Sequence, residues 1–144
     1  MYRMALCFAL LGAAAVHAED REKEKGRPDD QIDRLARRLE RDARGLHEEM
    51  LTHFRKSGAF KDLDRHAKEV ERLAGRIHKL ADEKARPRQL RETLEKIDEE
   101  VRDIERHVRD MARDRGLDRR VYNHLRDDLT EIERTLYRIR KELP

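Results

Sequence analysis

The sequence predicts an all-α fold, an up-down-up-down antiparallel four-helix bundle that follows an N-terminal signal peptide. Three observations support this prediction. Apolar residues recur at helical spacing in four successive segments, the links between these segments are short, and the first residues have the layout of an export signal. The predicted division is a signal peptide at 1–18, a flexible charged leader at 19–28 and a four-helix bundle at 29–144.

The N-terminal segment predicts export. Arg3 gives a cationic start, and residues 5–16 form a largely apolar run. The run is shorter than the roughly 20 residues of a membrane-spanning helix, and the small residue Ala18 suits a signal-peptidase site. We therefore expect a mature chain that begins at or near Glu19 and is periplasmic or extracellular. An uncleaved N-terminal anchor is the alternative.

The composition excludes several classes of protein. The single cysteine, Cys7, lies inside the predicted signal peptide, so the mature chain has none for disulfides, thiol catalysis or metal ligation. Charged residues make up 47% of the chain, with 35 Lys and Arg against 32 Asp and Glu. Their signs alternate every few residues, which is typical of solvated helix surfaces and not of the basic face that binds nucleic acid.

Four segments have the apolar periodicity of amphipathic helices. Gly58, Pro87 and Gly116 separate them, because glycine readily takes the left-handed conformation that ends a helix and proline suits a first turn. The links hold only two to five residues, so sequential helices should be antiparallel. A pair of helical hairpins that dimerises is the alternative, since narrow apolar stripes also suit coiled coils. The predicted helices span about 29–57, 60–85, 88–115 and 118–143.

The sequence contains no motif of a familiar catalytic chemistry. It has no glycine-rich phosphate loop and no strand–turn–helix nucleophile elbow. His47 and Glu48 begin like a zinc-protease HExxH motif, but Leu51 stands where the second histidine would be. The only serine, Ser57, lies in a link between helices. We therefore expect a protein that is not an enzyme.

The histidines show the one pattern that suggests a site. Five of the six in the mature chain lie within about 16 Å of the bundle end that holds the first and third links, while His78 lies alone at the other end. Because of their position beside the apolar stripes, four of the five should meet across helix seams. One handedness of the bundle places His53 opposite His66, and the other places His66 opposite His107. The first arrangement also pairs His107 with His124, and the second also pairs His53 with His124.

This clustering predicts a metal site. Met50 points into the core at the same height as the histidines. Imidazoles beside carboxylates suit zinc, copper or nickel, and a thioether beside imidazole favours copper(I). Ordinary solvated histidines are the alternative. The candidate metal ligands are His53, His66, His107, His124 and Met50.

Met50 on the first helix and His124 on the last resemble the methionine–histidine pair that ligates b-type haem in four-helix cytochromes. That resemblance implies a haem between the two helices. The pair here lies at the end that holds the first and third links, and the sequence has no Cys-x-x-Cys-His attachment motif. Haem is therefore not the cofactor that we expect.

Three classes of function follow from this pattern. The first is an exported structural or protein-interaction module, which binds a protein partner or a second copy of the chain. The second is an extracytoplasmic metal-binding or metal-sensing bundle that uses the clustered histidines. The third is a periplasmic chaperone-like helical protein, suggested by export and high charge. None of the three requires nucleic acid or insertion into a membrane after signal cleavage.

Overall fold

The computed structural model describes residues 28–114 and 117–144, and within them the chain is all-helical, with four α-helices and no strand. The helices are α1 (Pro28–His53), α2 (Phe60–Asp82), α3 (Pro87–Arg113) and α4 (Arg119–Glu142). The all-α prediction is confirmed. The predicted signal peptide, nearly all of the leader, and the break at Gly116 lie outside the described residues. None of the described helices combines the length and the apolar character needed to cross a membrane.

The four helices form a closed square. α1 packs against α2 and α4, and α3 packs against the same two helices. Hydrogen bonds between neighbouring helices show that these helices are antiparallel. Gln31, near the start of α1, donates to Glu142 at the end of α4 over 2.9 Å. Arg91, near the start of α3, donates to the carbonyl oxygen of Pro144, just beyond α4. Because every helix has two neighbours within one chain, the apolar stripes are buried without a second copy.

The core consists of the stripes that the periodicity predicts. Every stripe contributes residues at alternating steps of three and four, which keeps them on one side of a helix of 3.6 residues per turn. Burying each large apolar side chain contributes about 1.5–3 kcal/mol, so this shared core stabilises the bundle. The largest fully buried side chains are Phe54, Leu39, Leu46, Met50, Leu63, Leu73, Ile77, Leu94, Ile97, Ile104, Leu125 and Leu129.

The first link differs from the prediction. α1 ends at His53, four residues before the predicted end, and Gly58 does not take a positive φ. The chain turns instead through backbone bonds from Phe54 N to Met50 O, over 3.1 Å, and from Ser57 N to Phe54 O, over 2.7 Å. Phe54 is 2% exposed and anchors this turn in the core. The apolar stripe thus continues past the end of the helix, which is why periodicity alone placed that end too late.

The second link ends α2 with a left-handed residue that is not glycine. Lys84 has φ 49°, the only positive φ of a non-glycine residue among those described. Its amide donates to Ala81 O over 3.0 Å, and the amide of Ala85 donates to Leu80 O over 2.9 Å. This is the Schellman pattern, which satisfies carbonyls at a helix end. Pro87 then begins α3, as predicted.

The start of α4 is fixed by a side chain. Asp118 accepts hydrogen bonds from the amides of Arg120, over 2.7 Å, and Val121, over 3.4 Å. A carboxylate in this position satisfies amides that have no partner inside the helix and lies favourably at the positive end of its dipole.

Candidate functional site

His66 and His107 meet at the seam between α2 and α3. Their ring centroids are 5.7 Å apart, which is one of the two pairings that the sequence left open. His66 is 4% exposed, and its Nδ1 lies 2.6 Å from Glu100 Oε2 on α3. Its Nε2 lies 2.8 Å from a guanidinium nitrogen of Arg65. Both ring nitrogens of His66 are therefore engaged, one with a carboxylate and one with a cation.

His53 and His124 share a carboxylate at the seam between α1 and α4. His53 Nε2 is 3.0 Å from Glu49 Oε2, and His124 Nδ1 is 3.9 Å from Glu49 Oε1. His124 Nδ1 is also 3.3 Å from Asp128 Oδ2, one turn further along α4. The side chain of His124 is 62% exposed. The four predicted histidines thus form two pairs at opposite seams, with the core between them.

Met50 is a core residue with 0% exposure. Its thioether lies among the apolar side chains of the core, whereas His124 faces largely to solvent. A metal ion or haem iron held by both residues would have to enter the packed centre of the bundle. The sequence indicated both the height of Met50 on α1 and its direction into the core, and the structure places it there.

His78, at the other end of the bundle from the clustered histidines, lies among carboxylates. Its Nδ1 is 2.6 Å from Glu40 Oε2 on α1, and Asp33 and Asp82 carry carboxylates within 3.8 Å of its Nε2. Counting residues along α2 gave the height of His78, but two of its three partners, Asp33 and Glu40, come from α1, whose rotation the sequence could not give. His47, on the same seam, contacts α2 carboxylates with both of its ring nitrogens.

A groove lies between α1 and α4, which we call the α1–α4 groove. It has a volume of about 400 Å³ and includes His124 in its wall. Gly45 lines it, and a Cβ added at Gly45 would meet no atom within 4 Å. The groove is strongly acidic, with only the guanidinium of Arg41 among its lining groups as a permanent positive charge. Its carboxylates belong to Asp42, Glu48, Glu49, Asp128 and Glu131.

Two of these carboxyl groups are held in an unfavourable setting. Burial raises the pKa of Asp42, and Arg38 only partly offsets this, since its Nε stays 3.6 Å from Asp42 Oδ2 while the same guanidinium contacts Glu131. Asp42 Oδ2 is buried and accepts no hydrogen bond. Burial also raises the pKa of Asp128, and the negative charge of Glu49 adds to the effect. The neighbouring basic groups, Arg38 for Asp42 and His124 for Asp128, thus offset the effect of burial on the pKa only in part.

The pH dependence of the free energy of unfolding should show the effect of burial on these two carboxyl groups. A carboxyl group whose pKa is higher in the folded protein contributes stability below its unfolded pKa and loses that contribution as pH rises through the folded value. Asp128→Asn should therefore be more stable relative to wild type at about pH 7 than it is at about pH 4. Because the side chain of Asp128 is partly exposed, we expect this change in the free energy of unfolding to be less than about 1 kcal/mol. Urea denaturation of both proteins at the two pH values measures the difference.

Asp64 on α2 provides a matched control of opposite sign. Its pKa is lowered, first by the hydrogen bond from Lys68 and also by His47. Such a group stabilises the fold above its unfolded pKa and loses that contribution as pH falls through the folded value. Asp64→Asn should therefore be destabilising at about pH 7 relative to about pH 4. The same direction of change for both variants would contradict the electrostatic account of the groove.

Comparison with protein-family models, with curated proteins and with solved structures finds no match for this chain.

Proposed function

We propose that this protein is an exported, non-enzymatic helical bundle that acts as a protein-interaction module, and that it binds a basic segment of a partner in the α1–α4 groove. The observation that supports this proposal is the groove itself, whose five carboxylates outnumber the guanidinium of Arg41 in its lining and that of Arg38, which contacts Asp42 and Glu131. Export is supported by the N-terminal sequence, with its cationic start, apolar run and small residue before Glu19.

The dimensions of the groove suit a peptide better than a single ion. Along α1 its lining extends from Arg41 to Thr52, about 16 Å at 1.5 Å per residue. An extended segment of about five residues spans a similar length at roughly 3.3 Å per residue. Several carboxylates distributed over that length can each meet a different lysine or arginine side chain of the segment.

The charges of the groove favour such a partner. A lysine or arginine placed beside Asp42 and Asp128 would favour their ionised forms, and so would relieve the effect of burial. Gly45 leaves open space in the wall, where a long basic side chain can lie. The chaperone-like alternative would call for an exposed apolar surface that binds unfolded chains. Tyr137 is the only exposed large hydrophobic residue in the part of the chain that is described, so nothing there supports this alternative.

The proposal is tested with a labelled peptide of alternating lysine and glycine, whose binding to the purified protein is followed by fluorescence anisotropy. The double variant Asp42→Asn, Asp128→Asn should weaken binding by about tenfold or more, equivalent to about 1.4 kcal/mol. Gly45→Gln should also weaken it, because the new side chain fills the groove without a clash at its Cβ. Wild-type binding should decrease as salt is added.

Glu99→Gln is the matched control, since it removes an exposed carboxylate from α3, which does not pack against α1. This variant should bind the peptide as wild type does. Equal losses for Glu99→Gln and for the groove variants would mean that the peptide responds only to net charge, and the proposed docking site would then be wrong.

Metal binding at the clustered histidines is a second candidate function. The observation that favours it is the 5.7 Å approach of His66 and His107, with Glu100 at hydrogen-bond distance from His66. Arg65 would have to move away from His66 Nε2 for an ion to bind there, and its exposed side chain is free to do so. Titration of His66→Gln and His107→Gln with Zn²⁺ tests this candidate, because the loss of either ring should weaken binding at the α2–α3 seam.

A further inference from the structure

A cluster of metal-ligating atoms lies at the α1–α2 seam, near the second link. Asp33, His78 and Asp82 each offer one such atom, and the three atoms lie within 4.8 Å of one another. His78 Nε2 is 3.8 Å from Asp33 Oδ1 and 3.6 Å from Asp82 Oδ2. Both distances are longer than a hydrogen bond, and Nε2 is a buried atom with no hydrogen-bond partner. Such a ring nitrogen can act as a ligand of a metal ion.

Glu40 orients the imidazole. Its Oε2 lies 2.6 Å from His78 Nδ1, so the ring donates to this carboxylate through Nδ1, and Nε2, on the side of the two aspartates, is the nitrogen that can ligate a metal ion. A carboxylate that accepts from the second ring nitrogen is the usual support of a metal-binding histidine, because it selects the tautomer and holds the ring.

The helices place the three ligands without distortion. His78 and Asp82 are four residues apart on α2, so they lie one above the other on the same face. α1 runs antiparallel to α2 and brings Asp33 opposite this face, about two turns before Glu40. Two ligands from one helix turn and a third from its neighbour form an open arrangement on the side of the bundle.

We propose that Asp33, His78 and Asp82 form a binding site for a borderline divalent metal ion such as Zn²⁺, with Glu40 as the positioning residue. Ligand atoms around a tetrahedral zinc ion are about 3.3 Å apart, so small rotations of the aspartate side chains complete the geometry. One imidazole and two carboxylates suit first-row divalent ions. The site is separate from the α1–α4 groove, and the proposal goes beyond the function proposed there.

Arg37 is the competing cation. Its Nε is 3.2 Å from Asp33, and one of its terminal nitrogens is 3.8 Å from Asp82 Oδ1. The side chain of Arg37 is 58% exposed, so it can leave the carboxylates when an ion binds. Removing its charge should therefore strengthen metal binding, an effect opposite in sign to the removal of a ligand.

The test is a titration of the purified, untagged protein with Zn²⁺ alone, in competition with a chromophoric chelator. His78→Gln, Asp33→Asn and Asp82→Asn should each weaken binding by at least about tenfold, and Glu40→Gln by about 10- to 100-fold. Arg37→Gln should strengthen binding. Because imidazole ligates only in its neutral form, affinity should fall as the pH is lowered from about 7 to about 5.

His47→Gln is the matched control, because His47 lies on the same seam but has both ring nitrogens engaged, at 2.7 Å with Glu71 and 3.2 Å with Asp64. It should bind Zn²⁺ as wild type does. Circular dichroism in the presence of a chelator checks that every variant is folded, and Asp82, with a side chain 53% exposed, can be changed without disturbing the core.

Binding no tighter than millimolar, or an equal loss from His47→Gln, would overturn the proposal. A loss confined to His66→Gln and His107→Gln would also overturn it and would favour the second candidate function, with the ion at the α2–α3 seam.

Discussion

Leu129→Asp and Ile104→Asp are each expected to destabilise the protein by about 4 kcal/mol or more, a large part of the roughly 5–15 kcal/mol that stabilises an ordinary domain. Leu129 is 2% exposed on α4 and Ile104 is 0% exposed on α3. Each substitution removes a large apolar side chain from the core and buries a carboxylate that has no partner there. Urea denaturation followed by circular dichroism at 222 nm, a wavelength that reports α-helix, measures the loss.

Glu99→Ala is the control for this prediction. Glu99 lies on the exposed face of α3, so its removal should change the free energy of unfolding by less than about 1 kcal/mol. If Leu129→Asp and Ile104→Asp unfolded at the same urea concentration as Glu99→Ala, the apolar stripes would not form the core. The arrangement of the four helices would then be wrong.

Met50→Ala should cost about 2–5 kcal/mol, because it leaves a cavity in the packed centre of the bundle. Met50→Leu nearly conserves the volume of the side chain, and it should cost less than about 1.5 kcal/mol. Thermal unfolding of both variants beside the wild type measures the two effects. The contrast between the variants isolates packing from the chemistry of the sulfur atom.

The same pair of variants tests the sequence-based hypothesis that Met50 is a metal ligand. Because the side chain of Met50 is 0% exposed, we expect Met50→Leu to leave the affinity for copper(I) unchanged. A copper(I) titration in which Met50→Leu keeps its stability but loses binding would instead assign the thioether to a metal site and would require the core to open around it.

The helices could be predicted from the sequence, but their ends only in part. Pro87 begins α3 where its missing amide hydrogen and fixed φ favour a first turn. The end of α1 was placed four residues too late because Phe54 continues the apolar stripe from within a turn. At the end of α2, Lys84 takes the left-handed conformation usually given to glycine, and nothing in its local sequence indicates this.

The candidate sites could be predicted less well, because each depends on two helices. The approach of His66 to His107 was one of two pairings compatible with the sequence, and the handedness of the bundle selects between them. The α1–α4 groove was not predicted, since its acidic wall combines carboxylates of two helices around Gly45. Five carboxylates are not conspicuous in a chain that is 47% charged.

The sequence by itself determined that this protein is helical, where its apolar stripes lie, and the height of each histidine along its helix. These properties follow from the period of a single helix, which apolar spacing reports directly. Only the tertiary structure decided that Asp33 and Glu40 face His78, and that His66 meets His107 and not His53. The physical reason is that periodicity sets only the angle of a side chain on its own helix. The partners of that side chain depend on the register and rotation of the neighbouring helix, and the packing of the whole core determines both.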